Sequence, residues 1–80
     1  MLKVVIAGHC FGCEEAKRLF HEIRNLLPHL RVELLDLGVE GAILPEGIVA
    51  VPAYVLNGET IFLGNPRIEE LIEKLTPRQV

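Results

Sequence analysis

The sequence is poor in aromatic residues and cysteines and has little excess charge, and each shortage excludes a class of protein. Its 80 residues include no Trp, one Tyr, three Phe and two Cys, with a net charge of −3. Two cysteines are too few for a small disulfide-dense scaffold. Without a basic excess or many aromatic rings to stack on bases, the chain offers little to a nucleic acid, and we expect no such partner.

Long hydrophobic runs are missing as well. Near the N-terminus the apolar run covers only residues 4–7, which is too short for a signal-peptide core or a membrane span. We therefore expect a cytoplasmic protein that does not associate with membranes. Half of the residues are hydrophobic and 24% are charged, as in compact globular proteins. A chain of this length predicts one domain, residues 1–80.

Hydrophobic periodicity divides the first half of the chain into a strand, a helix and a second strand. Residues 3–7 and 31–37 are short and mostly apolar, which predicts buried strands. Between them, residues 14–27 carry one helical stripe that Pro28 ends. Such a βαβ unit implies parallel strands and a right-handed crossover. The stripe consists of Ala16, Leu19, Phe20, Ile23, Leu26 and Leu27.

The second half of the chain predicts a β-hairpin. Asn57-Gly58 separates two apolar segments, residues 53–56 and 59–63. Asn-Gly between such segments is the strongest short hairpin signal, because a type I′ turn needs positive φ at both central residues.

A closing helix is predicted after the hairpin. Asn65-Pro66 has the pattern of an N-cap followed by proline at the first helical position. Residues 39–44 could add one short helical turn in the middle of the chain. The sequence therefore predicts an α/β fold of order β-α-β-(short α)-β-β-α, with one four-stranded mixed sheet flanked by helices.

Both cysteines lie in one motif at the junction of the first strand and the first helix. Cys10 and Cys13 enclose Phe11-Gly12, and Cys-x-x-Cys at this place in a βαβ pattern is typical of a redox-active dithiol. Free N–H groups at a helix start stabilise a thiolate, and Cys13 extends the buried stripe. We therefore predict an exposed, nucleophilic Cys10 and a shielded Cys13.

Other interpretations of the cysteine pair stay open. His9 could modulate a Cys10 thiolate or supply a third metal ligand, and the chain would then be a metal-binding or metal-delivery module. A closed tetrahedral zinc site needs two ligands beyond Cys10 and Cys13, so we predict no bound metal. A purely structural disulfide is disfavoured, because closing a four-residue loop contributes only ~2 kcal/mol.

The chain as a whole resembles the thioredoxin-fold family. It is most similar to the short thioredoxin- and glutaredoxin-like redox-active disulfide proteins of about this length. The residues that carry the resemblance are Cys10-Phe11-Gly12-Cys13, Val51-Pro52-Ala53, and Asn57-Gly58 with Gly64 after the hairpin.

The resemblance implies a small thiol–disulfide oxidoreductase with Cys10 and Cys13 as its catalytic pair. It also implies a cis bond before Pro52, facing the dithiol, and a Val51 backbone that pairs with extended substrate. Phe11 and Gly12 would complete the substrate-binding residues. The implied partners are disulfide-containing proteins and an electron-donating reductase, with no cofactor. A non-catalytic adaptor that uses the same peptide groove is a further alternative.

Overall fold

The computed structural model describes residues 1–8, 12–38 and 51–76. They form one four-stranded mixed sheet with two helices, which confirms the α/β class that the sequence predicts. The elements are β1 (Leu2–Ile6), α1 (Cys13–Leu26), β2 (Val32–Asp36), β3 (Ala53–Leu56), β4 (Glu59–Leu63) and α2 (Ile68–Leu75). The strands lie in the order β2-β1-β3-β4; β1 and β2 are parallel, and the other neighbours are antiparallel.

Strand β1 is the centre of the fold because it is apolar on both faces. All of its residues except Lys3 are fully buried, as expected for an interior strand with a neighbour on each side. Its middle residue, Val4, pairs with Leu34 of β2 and with Tyr54 of β3. The parallel pair of β1 and β2, joined through α1, confirms the predicted βαβ unit.

The two faces of the sheet carry separate apolar clusters. Val5 packs with Ala53 and Val55 on one face. On the other face, the alternate residues of β1 pack with residues of both α1 and α2, so both described helices lie on that face. This helix-facing cluster consists of Leu2, Val4, Ile6, Cys13, Ala16, Leu19, Phe20, Ile23, Tyr54 and Leu71.

The hairpin of β3 and β4 has the bounds that the sequence predicts. Asn57 and Gly58 have φ values of 50° and 86°, the positive values that a type I′ turn requires. The turn is also tied to the N-terminus of the chain. The amino group of Met1 donates a 2.6 Å hydrogen bond to Oδ1 of Asn57, whose own N–H donates to the Met1 carbonyl at 2.9 Å.

A β-bulge interrupts the pairing of β3 with β4. Tyr54 pairs with Phe62, whereas the next residue of β3, Val55, pairs with Thr60. The extra residue, Ile61, therefore has no partner in the ladder. Both Ile61 and Phe62 pack against the helix-facing cluster, which strict alternation along β4 would not allow.

One residue of the predicted helical stripe is exposed. The stripe is buried as far as Ile23, but Leu26 has 51% of its surface exposed. A helix of 14 residues spans about 21 Å, whereas a five-residue strand such as β1 spans about 17 Å. The last turn of α1 therefore extends beyond the sheet that buries the rest of the stripe.

The predicted start of the closing helix was wrong by two residues. Helix α2 begins at Ile68 with Arg67 as its N-cap, instead of beginning at Asn65-Pro66. The Arg67 N–H donates to Oε1 of Glu70 at 3.3 Å, in a capping-box arrangement. The short helix predicted at residues 39–44 lies outside the described residues. No helix in the described part of the chain is both long and apolar enough to cross a membrane.

Candidate functional site

Cys13 is the first residue of α1 and is completely buried. Its side chain belongs to the helix-facing cluster, as the shielded position predicted for it requires. Its sulfur is disulfide-bonded. The other members of the predicted motif, His9, Cys10 and Phe11, lie outside the described residues, so the exposure of Cys10 stays a prediction.

Gly12 occupies the N-cap position of α1 in a backbone conformation that favours glycine. Its φ is 85°, in the left-handed region that costs an L-residue with a side chain about 1–2 kcal/mol. A Cβ at this position would lie 3.1 Å from Nδ2 of Asn65 and 3.7 Å from Cδ of Pro52. Glycine is therefore favoured here both by its φ and by the close approach of Asn65.

Pro52 lies beside Gly12, at the start of the hairpin. The Val51-Pro52 bond is cis, as the resemblance implies, and Pro52 is buried. The Pro52 carbonyl accepts a 2.7 Å hydrogen bond from the N–H of Gly64, the residue that follows β4. The structure thus brings Pro52 to the segment that carries Cys13. Val51 is partly buried and packs against the cluster on the opposite face of the sheet.

Asn65 is a residue of this region that the sequence assigns to another role. Its Oδ1 accepts a 2.8 Å hydrogen bond from the hydroxyl of Tyr54, and its Nδ2 donates one of 2.9 Å to the carbonyl of Gly12. Tyr54 itself is fully buried, and this burial raises the pKa of its phenol well above the usual range. The phenol therefore stays protonated and can serve as the donor to Asn65.

Asp36 is the second residue that sequence reasoning missed. Its Oδ1 accepts hydrogen bonds of 2.8 Å from the backbone N–H groups of Gly8 and Gly38. These contacts join the end of β2 to the residue just before His9. The signal in the sequence is an aspartate two residues before a glycine. This pattern is typical of an Asx-turn, in which the aspartate side chain accepts a hydrogen bond from the backbone two residues on.

Acidic residues at the start of α1 are paired with cations of the next turn. Glu14 accepts a 3.2 Å hydrogen bond from Nζ of Lys17, and Glu15 forms an ion pair with Arg18. Carboxylates at a helix start are stabilised by the helix dipole but disfavour a nearby thiolate. The ion pairs reduce that second effect, and because they are exposed each contributes little to stability.

Metal ligands are sparse in the described part of the chain. Within residues 1–8, 12–38 and 51–76, no group of three or more His, Cys, Asp and Glu side chains could hold a metal ion. The metal alternative depends on His9 and Cys10, which are outside these ranges.

Comparison with known proteins gives one curated relative. The chain is 37% identical over 71 residues to a protein named thioredoxin from Methanocaldococcus jannaschii. The aligned part covers 86% of this chain and 84% of that protein, so the likeness extends over most of both. No family model matches the chain. No solved structure matches it either.

Proposed function

Because this chain belongs to the thioredoxin family, we propose that it is a thiol–disulfide oxidoreductase whose working pair is Cys10 and Cys13. The observation that carries the proposal is the disulfide bond of Cys13 at the first residue of α1, directly after Gly12, which lies beside the buried Pro52. A disulfide at a helix start is in the place where backbone N–H groups favour the thiolate formed on reduction.

The reaction consists of two exchange steps. In the first, the Cys10 thiolate attacks one sulfur of a substrate disulfide; a mixed disulfide forms, and the other substrate sulfur leaves as a thiolate. In the second, Cys13 loses its proton and its thiolate attacks the Cys10 sulfur. The first substrate sulfur then leaves, so the substrate gains two electrons and the protein pair becomes a disulfide.

The assignment of Cys13 to the second step follows from its burial. A sulfur with no exposed surface cannot reach a disulfide in a separate protein, but it can attack a partner that is brought to it within the same chain. Cys10 would therefore make the first contact with substrate, and Cys13 would complete the exchange and release it.

Substrate binding is assigned to the segments around the pair. An extended peptide would pair with the Val51 backbone as an added strand, and Pro52, Phe11 and Gly12 would contact the residues beside its disulfide. The closeness of Gly12 to the Pro52 ring supports this assignment.

Turnover requires a source of electrons. Each cycle leaves the protein pair oxidised, so a reductase or a dithiol must supply two electrons before the next substrate is reduced. We propose that the partners are disulfide-containing proteins and a reductase, in a reducing compartment such as the cytoplasm.

The test is the reduction of a two-chain disulfide protein such as insulin, with dithiothreitol as the electron source. We expect the wild-type protein to accelerate the reduction, Cys10→Ser to abolish the acceleration, and Cys13→Ser to accumulate a mixed disulfide that mass spectrometry detects. Wild-type protein that gives no acceleration over dithiothreitol alone would contradict the proposal, and so would full activity in Cys10→Ser.

A further inference from the structure

Asn65 uses both ends of its side-chain amide. Its Oδ1 accepts from the Tyr54 hydroxyl, and its Nδ2 donates to the Gly12 carbonyl. Since the Tyr54 hydroxyl donates its only proton to Asn65, the amide must present its oxygen to Tyr54 and its nitrogen to Gly12. Tyr54 has no exposed surface, so an otherwise exposed amide is anchored to the core of the sheet.

The Gly12 carbonyl connects Asn65 to the dithiol, because it belongs to the peptide group that precedes Cys13. The same oxygen accepts a 3.0 Å hydrogen bond from the N–H of Ala16, the first bond of helix α1. A carbonyl oxygen has two lone pairs and can accept both bonds. The peptide group that joins Gly12 to Cys13 is therefore held from two sides, by α1 and by the segment that precedes α2.

We propose that Asn65 is a positioning residue for the dithiol, because it fixes the Gly12–Cys13 peptide and thereby the direction in which the Cys13 sulfur points. The inference rests on the function proposed above. It assigns Asn65 to the second exchange step, in which Cys13 attacks the mixed disulfide. That step is intramolecular, so its rate depends strongly on orientation. The first step uses Cys10 and not Cys13.

A nitrobenzoate disulfide separates the two steps, because its released thiolate is yellow. Reduced protein is mixed with less than one equivalent of the reagent in a stopped-flow instrument. The first protein thiolate displaces one nitrobenzoate thiolate and forms a mixed disulfide. Cys13 then displaces the second nitrobenzoate thiolate and closes the protein disulfide, so two electrons pass from the protein to the reagent. The second phase is independent of reagent concentration, which identifies it.

We expect Asn65→Ala to slow the second phase about tenfold, as for a misplaced reacting group, and to leave the first phase unchanged. Asn65→Asp keeps an acceptor for Tyr54 but places a carboxylate oxygen against the Gly12 carbonyl. We expect it to slow the second phase at least as much. Asn25→Ala is the matched control, since it removes an amide from an exposed position of α1, and it should leave both phases unchanged.

A second phase at the wild-type rate in both Asn65 variants would overturn the inference. Equal slowing of both phases would also overturn it. That result is expected from a general loss of stability, which would affect both steps, and not from a residue that orients Cys13 for the second step. If Asn65→Ala does not fold, Asn65→Asp, which has the same size, decides between these outcomes. Failure of the proposed function has a different signature: the wild-type protein itself would release a single thiolate per reagent molecule, with no second phase.

Discussion

The N–H of Gly8 donates a 2.8 Å hydrogen bond to Oδ1 of Asp36, and the same oxygen accepts from Gly38 at 2.8 Å. One carboxylate oxygen thus joins the residue two positions after the end of β1 to the residue two positions after the end of β2. His9 and Cys10 come directly after Gly8 in the sequence. The hydrogen bond to Asp36 therefore holds the residue that precedes the cysteine motif in place.

Replacing Asp36 with alanine should destabilise the fold. The change removes the acceptor for two backbone N–H groups, and we expect a loss of about 1–3 kcal/mol in the free energy of unfolding. Asp36→Asn keeps an oxygen that can accept both bonds and should lose less. Urea unfolding of the three proteins measures the difference, and an equal loss in both variants would mean that the charge matters rather than the hydrogen bonds.

Comparing Gly12→Ala with Gly64→Ala measures the energetic cost of crowding at Gly12. Gly12 and Gly64 have the same φ of 85°, so alanine at either position has a similar conformational cost of about 1–2 kcal/mol. A Cβ at Gly64 would meet no atom of the described residues within 4 Å beyond its chain neighbours, whereas a Cβ at Gly12 would crowd Nδ2 of Asn65 and make ordinary contact with Pro52. We expect Gly12→Ala to lose at least about 1 kcal/mol more than Gly64→Ala.

The two variants are compared by their free energies of unfolding in urea. Equal losses would show that Asn65 moves aside at no cost, which would contradict a tightly held contact between Asn65 and Gly12. The nitrobenzoate assay on the same proteins should show a slower second phase in Gly12→Ala only.

The cysteines should differ in their reactivity toward an alkylating reagent. Cys13 has no exposed surface, so in the reduced protein iodoacetamide at neutral pH should modify Cys10 first. Peptide mass spectrometry after limited labelling identifies the modified residue. Urea-unfolded protein is the control, in which both cysteines should react at similar rates. Preferential labelling of Cys13 in the folded protein would contradict the assigned roles.

Tyr54 should make the stability of the protein fall at alkaline pH. Burial raises the pKa of its phenol above the ordinary value of 10.0, so the folded chain keeps the proton after the unfolded chain has lost it. The contribution of Tyr54 to the free energy of unfolding is therefore constant below about pH 10. Above that pH it falls by up to about 1.4 kcal/mol per pH unit until the folded pKa is reached.

Tyr54 is the single tyrosine of a chain without tryptophan, so ultraviolet absorbance reports its ionisation directly. We expect tyrosinate to appear together with the loss of the circular dichroism of the fold. Tyr54→Phe should remove this part of the alkaline dependence. Ionisation near pH 10 in a protein that is still folded would contradict the prediction.

Local patterns in the sequence predict the elements of this fold well. The hairpin bounds follow from Asn57-Gly58, because a requirement for positive φ at two adjacent residues leaves few alternatives. The buried strand β1 follows from a short apolar run. The apolar stripe predicts the buried part of α1 less well. Periodicity shows which face of the helix is apolar, but it does not show how far the sheet extends beneath that face. Leu26 is exposed for that reason.

The contacts around the site could not be predicted in the same way. Asn65 has the local signature of an N-cap, and Pro66 strengthens it. Its actual partners, Tyr54 and Gly12, are 11 and 53 residues away in the sequence. The N-cap preference of Asn65 contributes only about 1 kcal/mol. The two hydrogen bonds to Tyr54 and Gly12 outweigh it, and they exist only after the sheet has formed.

The separation of Asn65 from Gly12 also sets an order of events during synthesis. At about 5–20 residues per second, a ribosome adds the 53 residues from Cys13 to Asn65 over about 3–10 s. The cysteine motif is therefore translated before Asn65, the residue to which we assign the orientation of Cys13. Until Asn65 is in place, the second exchange step would be slow while the first is unaffected, so a mixed disulfide formed with a foreign disulfide would persist longer on a newly made chain than on the folded protein.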